Sequence, residues 1–200
     1  HTFLFTSSGS WAVVQQGMCL QDRTARRYHW LSENVKDFLV EPHEAIVGDT
    51  KRQIALDMTA KESLECQKTS TDIAKEKPTK VLRMLKSIRP KNQKTLHEWI
   101  PNIKPTNYIT DTLYMPRNLN WKAIKKAYEF QPKNYEELLN IQGVGPATIR
   151  GLALISQLIY GKPPSWKDPV KYSFAYGGKD GVPYPVNRQS MDKSIHILQN

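Results

Sequence analysis

The sequence predicts an α+β chain, with a small N-terminal antiparallel sheet followed by a mainly helical region. Three observations predict it. Short β-branched and aromatic runs crowd the first sixty residues, apolar residues recur at helical spacing after Asp57, and a Gly-Val-Gly triplet separates two helical stretches.

The elements follow in order. Residues 2–6 (TFLFT) and 11–16 (WAVVQQ) flank Ser7-Ser8-Gly9-Ser10, a hairpin pattern. Residues 26–32 (RRYHWLS) form a basic and aromatic run, and residues 38–40 (FLV) read as a further short strand ending at Glu41-Pro42-His43. Thr59 and Glu62 match a capping box, in which each side chain satisfies the other's free backbone N–H, and the helix they open reaches about Lys68. Pro78 suits a first helical position and Pro90 ends that segment. Between them Val81, Leu85 and Ile88 make an apolar stripe, with Lys80, Arg83 and Lys86 off it. Residues 90–120, with four prolines, read as a long connection pinned by Trp99. Residues 121–130 are helical, with Trp121, Ile124 and Tyr128 on one face and Lys122, Lys125 and Lys126 on the other. Asn134 and Glu137 repeat the capping pattern before a short helix through Ile141, and Gly161 stops the helix that begins at Pro146. The expected division is a β-rich subdomain over residues 1–57 and a helical region over residues 58–200.

The charge is unevenly placed. Of a net +10, the whole excess lies in residues 67–133, which hold fifteen Lys and Arg against five Asp and Glu. The remainder carries fourteen of each sign. Such a concentration suits a localised surface for a polyanion, here DNA. No run approaches the roughly 18 apolar residues of a membrane span. Cys19 and Cys66 have no CxxC partner, which excludes a disulfide framework or a Cys-rich metal site in this chain and points to a reducing, cytoplasmic setting. The chain opens on His1 and runs straight into an apolar segment, so a piece of a longer protein is expected.

Residues 138–149 (LLNIQGVGPATI) carry the strongest local signal. A short helix ends at Gly143-Val144-Gly145 and another begins at Pro146, whose missing N–H costs nothing there. Free N–H groups around Gly143, Gly145 and Ala147, at the positive end of a helix, suit a phosphate oxygen. Gln142, Val144, Thr148 and Arg150 complete the expected contact set. These residues resemble the helix-hairpin-helix motif, expected here over about residues 134–160. The resemblance implies that the chain holds DNA backbones without reading sequence.

Longer matches accompany it. Residues 11–18 (WAVVQQGM), 25–32 (ARRYHWLS), 41–43 (EPH), 164–171 (PSWKDPVK) and 174–186 (FAYGGKDGVPYPV) occur in that order. Together with the hairpin they resemble the prokaryotic, largely archaeal family called domain of unknown function 763. The resemblance implies that this chain is the C-terminal half, and its helix-hairpin-helix places it near DNA repair enzymes and nucleases.

Candidate chemistry lies in the N-terminal loops. Arg26, Arg27 and His29 are close in sequence, and Glu41 and His43 could join them across a small sheet, with Gln15 and Gln16 nearby. Arginines clamp phosphate, His serves as general acid or base, and Glu with His can hold a divalent ion such as Mg²⁺ or Mn²⁺. Such a set suits phosphodiester hydrolysis. In competing readings the chain is a noncatalytic DNA-binding module that positions a partner, or a glycosylase-like enzyme using Asp168, which follows the hairpin after a Gly/Pro-rich stretch. Lys179, at the tip of Gly177-Gly178-Lys179-Asp180-Gly181, is a further candidate phosphate contact. A single hairpin motif also leaves room for a homodimer or a repair partner.

Overall fold

Ser7, Ser8 and Gly9 close a tight hairpin, in which Gly9 takes φ +90° and donates its N–H to the Thr6 carbonyl at 3.1 Å. It joins the first two strands in the computed structural model, which describes residues 1–20, 24–48, 50–88, 116, 119–170 and 188–199. The chain forms two units. One comprises His1–Phe38, Pro42–Gln53 and Pro169–Asn200, the other Leu39–Glu41 and Ile54–Asp168. The expected boundary near residue 57 lies close to the observed break at Ile54, but Pro169–Asn200 groups with the strands rather than with the helices.

The first unit is an antiparallel meander of β1 (Thr2–Phe5), β2 (Trp11–Cys19), β3 (Thr24–Leu31) and β4 (Ala45–Gly48), in that spatial order. Its register pairs Phe5 with Trp11, Val13 with Trp30, Gln15 with Tyr28 and Tyr28 with Ile46. Because side chains alternate along a strand, these residues share one face, together with Phe3 and Arg26. Leu4, Val14, Gln16, Arg27, His29 and Val47 share the other. The expected strand over residues 38–40 does not form; the Leu39 carbonyl accepts from Gln67 Nε2 at 3.1 Å, and the fourth strand comes from the apolar run Ala45–Gly48 instead.

The second unit is helical. Asp57 and Ser165 form an isolated antiparallel bridge. The buried Ser63 hydroxyl ties the same two segments, donating to the Asp57 carbonyl at 2.6 Å and accepting from Ser165 N–H at 2.8 Å. The capping box expected at Thr59 is not made. Thr59 turns to the Asp57 carboxylate, with its hydroxyl at 2.7 Å, and a short 3₁₀ turn over Lys61–Ser63 leads into α1 (Leu64–Ala74), which runs past the expected end at Lys68. Next come α2 (Pro78–Ile88), α3 (Trp121–Phe130), α4 (Tyr135–Asn140) and α5 (Pro146–Tyr160). Asn134 caps α4, accepting from Glu137 N–H at 2.9 Å, while the Glu137 carboxylate accepts from Lys133 N–H at 2.7 Å. That is one residue earlier than a reciprocal capping box requires. Gly161 ends α5 in the left-handed conformation at φ +67°.

The core is Ile73, Val81, Leu85, Ile124, Leu138, Leu152 and Ile155, gathered from the five helices described in this unit. As expected, Val81 and Leu85 face inward on α2 while Lys80, Arg83 and Lys86 are exposed. On α3 the inward face is Ala123, Ile124 and Ala127 rather than Trp121 and Tyr128; small residues let the helix approach closely, and Trp121 is left 39 % exposed. Trp99 and most of residues 90–120 lie outside the described residues. A last helix, α6 (Arg188–Gln199), is exposed along nearly all of its described length.

Tyr135 opens α4 inside this core, and burial pushes its hydroxyl well above the usual phenol range, with the nearby Cys66 adding to the shift. The folded chain therefore favours the neutral phenol, while the unfolded chain ionises near the ordinary value of 10.0. Stability should be unaffected by this group below that pH and fall as pH rises above it, by about 1.4 kcal/mol per pH unit at most. Tyr135→Phe should flatten that alkaline loss in urea unfolding followed between pH 9 and 11.

Candidate nucleic-acid interface

The connection between α4 and α5 is five residues long, Ile141 to Gly145. Ile141 and Val144 are partly buried against the helical core, so the turn is anchored from inside. Gly143 sits at φ +95°, a conformation costly for any side chain, and a Cβ there would lie 2.8 Å from Asn120 Nδ2. Asn120 is the residue that shapes this turn. Its Oδ1 caps α3 by accepting from Ala123 N–H at 3.2 Å, and its Nδ2 donates to the Gly143 carbonyl at 3.1 Å. It is missed from sequence alone: an Asn just before a helical run is a local cap signal, but nothing in the spacing links it to a residue 23 positions on.

Gly145 differs. Its backbone is extended, at φ −129°, and a Cβ there would meet nothing within 4 Å. Among the described residues no atom requires a glycine at this position; the space beside it is open. Pro146 follows at the first turn of α5, and the N–H groups of that turn have no acceptor within the helix. The arrangement can receive an anionic oxygen at a bare backbone next to a positive helix end.

Cations border it. Lys126 of α3 donates to Gln142 Oε1 at 3.1 Å, which brings the exposed Lys122, Lys125 and Lys126 face against the turn. Lys125 lies 3.7 Å from Glu129, and Lys80 on α2 is held by Glu76 at 2.6 Å, which keeps the Lys80 ammonium above the ordinary lysine range. Arg83 and Lys86 are exposed on α2, but this helix meets the far end of α5, where the Tyr160 hydroxyl donates to Met84 Sδ at 3.7 Å, so the α2 cations expected to join the turn are not gathered beside it. A groove of about 620 Å³ beside α3 and α4 is lined by Lys126, Phe130 and Asn140 and also by Glu129 and Glu137.

Two expected side-chain contacts are differently employed. Thr148 is 2 % exposed, so its side chain is packed away and only backbone remains near the surface. Arg150 lies over the Trp166 ring at 5.3 Å, a cation–π contact that holds the guanidinium along the helix rather than free at its start. Asp168 is buried, at 6 % exposure, and Lys179 lies outside the described residues.

The histidines and arginines expected to perform hydrolysis are divided between two faces of the sheet. His29 and Arg27 lie on one face of β3, whereas Arg26 lies on the other, with Tyr28 and Trp30. His43 packs on that second face, its ring 4.7 Å from Trp30 and 5.4 Å from Tyr28. Glu41 belongs to the helical unit and pairs with Lys61 at 3.0 Å. Strand alternation is the reason: adjacent residues point to opposite faces, so closeness in sequence separates them in space. Arg27 Nε donates to Gln16 Oε1 at 3.1 Å across the ladder, and His29 Nε2 is buried with no hydrogen-bond partner among the described residues. Among the described residues no group of three or more His, Cys, Asp and Glu side chains could hold a metal ion.

The two glycines of the turn should respond oppositely. Gly143→Ala should cost about 1–3 kcal/mol in urea unfolding, from the left-handed backbone and the approach to Asn120. Gly145→Ala should stay within about 1 kcal/mol of the parent chain.

Searches of curated proteins and of solved structures found no match to the chain. A family model does match, over residues 1–186, and its description is protein of unknown function (DUF763). With that match spanning nearly all of its 200 residues, the chain belongs to the DUF763 family.

Proposed function

We propose that this chain is a DNA-binding protein of DNA repair or processing, which grips the phosphodiester backbone without reading sequence. The α4–turn–α5 segment acts as a helix-hairpin-helix. The observation that carries this reading is the open space at Gly145 beside the first turn of α5, with the Lys122, Lys125 and Lys126 face joined to it through Gln142. Gly143 is accounted for inside the protein, whereas the bare backbone at Gly145 leaves room for close approach by another molecule. Phosphate contacts of this kind fix position and carry no base information.

The separation of Arg26 and His43 from Arg27 and His29 onto opposite faces of the sheet favours the reading in which the chain positions a processing activity over one in which these residues form a nuclease centre with Mg²⁺ or Mn²⁺.

Gly145→Glu should weaken duplex binding by about tenfold or more, and equally for unrelated sequences, in fluorescence anisotropy; unchanged affinity would reduce the turn to a structural device. Lys122→Ala and Lys126→Ala should each lower the salt slope of log K by about one. Incubated with labelled single-stranded, duplex and flap DNA and either Mg²⁺ or Mn²⁺, the chain should bind without forming product. Cleavage abolished by His29→Ala or His43→Ala would make it a nuclease instead.

A further inference from the structure

The segment that leads into α3 is keyed into the hairpin at two glycines. Leu119 is buried against α5 where Gly151 leaves room, since a Cβ there would come within 2.7 Å of Leu119 Cδ2. Asn120 does the same at the turn. A Cβ on Gly143 would lie 2.8 Å from Asn120 Nδ2 and 3.4 Å from the Ala123 Cβ. Two adjacent residues thus fill spaces that two glycines of the hairpin leave empty.

Capping alone does not call for asparagine at this position. Ser, Thr and Asp cap helices through the same oxygen, and Asp would also suit the positive helix end. What asparagine adds is a donor on the other branch of the side chain, which the Gly143 carbonyl accepts at 3.1 Å. A single planar amide then joins the first turn of α3, through Ala123 N–H at 3.2 Å, to the backbone of the hairpin. This bond is exposed to solvent, so it adds little to stability. Its effect is on geometry.

The groups it holds together repel one another. Lys122 stands in the first turn of α3, where a cation opposes the helix dipole, and neither α3 nor α5 has an acid in its first turn. By contrast α4 opens on Glu136 and Glu137. Lys126, one turn further along α3, reaches Gln142 of the hairpin at 3.1 Å. A fold selected for stability alone has no use for such an arrangement, whereas a polyanion does.

We propose that Asn120 is a positioning residue for DNA, which holds Lys122 and Lys126 and the open backbone at Gly145 as one rigid surface for duplex phosphates. This rests on the reading of the α4–turn–α5 segment as a grip on the DNA backbone. Without the Asn120–Gly143 bond, α3 keeps its core contacts at Ile124 and Ala127, but its first turn is no longer fixed to the hairpin. The lysines then reach phosphate only by ordering themselves at each encounter.

The test follows a short labelled duplex by fluorescence anisotropy with the whole chain, across roughly 50–200 mM salt. Asn120→Ser still caps α3, adds no charge and has no atom that reaches Gly143. It should weaken binding about fivefold and lower the salt slope of log K by about one. Lys122→Ala should lower that slope in the parent chain and by much less in the Asn120→Ser chain, where the same contact is already lost. Asn120→Asp has the shape of asparagine but turns an oxygen toward the Gly143 carbonyl, and should weaken binding at least as much. Circular dichroism and the urea midpoint should stay close to the parent values in both; should the Ser variant unfold, the better-capped Asp variant decides.

A merely structural Asn120 gives a different pattern, because loss of folded protein scales binding equally at every salt concentration. Weaker binding with an unchanged slope, or full affinity in both Asn120 variants, would therefore overturn the proposal. Gly145→Glu is measured alongside. If it weakens binding while Asn120→Ser does not, the positioning role alone is lost; if it leaves affinity unchanged, the hairpin reading fails and the role of Asn120 falls with it.

Discussion

Helix α5 is apolar around most of its circumference, and the helical unit is organised by the need to hide it. Leu152, Ala153, Leu154 and Ile155 are all essentially without solvent contact, four successive residues that together point in every direction around the helix. A helix of that kind must be enclosed rather than laid on a surface. α1 and α2 pack against it, and Leu119 fills the space left by Gly151, where a Cβ would come within 2.7 Å of Leu119 Cδ2. Burying the body of the helix leaves its ends as the parts that can meet other molecules. At the far end Gly161 turns the chain back, with Lys162 N–H donating to the Ser156 carbonyl at 3.0 Å.

At the near end, the turn before α5 must both seal the core and stay approachable. Two glycines divide that demand. Gly143 takes the strained conformation and lets Asn120 reach the backbone, so α3 and the turn are locked together. Gly145 takes an ordinary extended conformation and leaves its surroundings empty. Lys126 then follows from the lock. Because Asn120 begins the same helix that carries the lysines, fixing its cap against Gly143 also sets the cationic face beside Gln142.

The sheet obeys a simpler constraint, its period of two. The residues that looked like a catalytic cluster when read along the chain become two populations once the strand is formed. One face receives Arg26, Tyr28 and Trp30 and collects His43 on top of the rings; the other receives Arg27 and His29. The same alternation gathers the aromatics of β1 and β2, which no short motif joins in sequence, onto a single surface.

Much of this was legible in the residues themselves, wherever the signal was local. Ser-Ser-Gly between two β-branched runs, Pro78 at a helix start, the Val81–Leu85 stripe, Asn134 before α4 and the Gly143–Pro146 turn depend on neighbours within a few positions, and backbone sterics decide them. Where a distant partner competed, local reading failed. Thr59 bonds to Asp57 instead of capping a helix, Leu39 gives its carbonyl to Gln67 instead of to a strand, and Trp121 is turned outward because Ala123 and Ala127 pack more closely. The sequence by itself determined the α+β class, the placement of the positive charge and the glycine turn. Only the tertiary structure decided which glycine is occupied by Asn120 and which is open, and which side chains share a face of the sheet, since both depend on contacts between residues far apart along the chain.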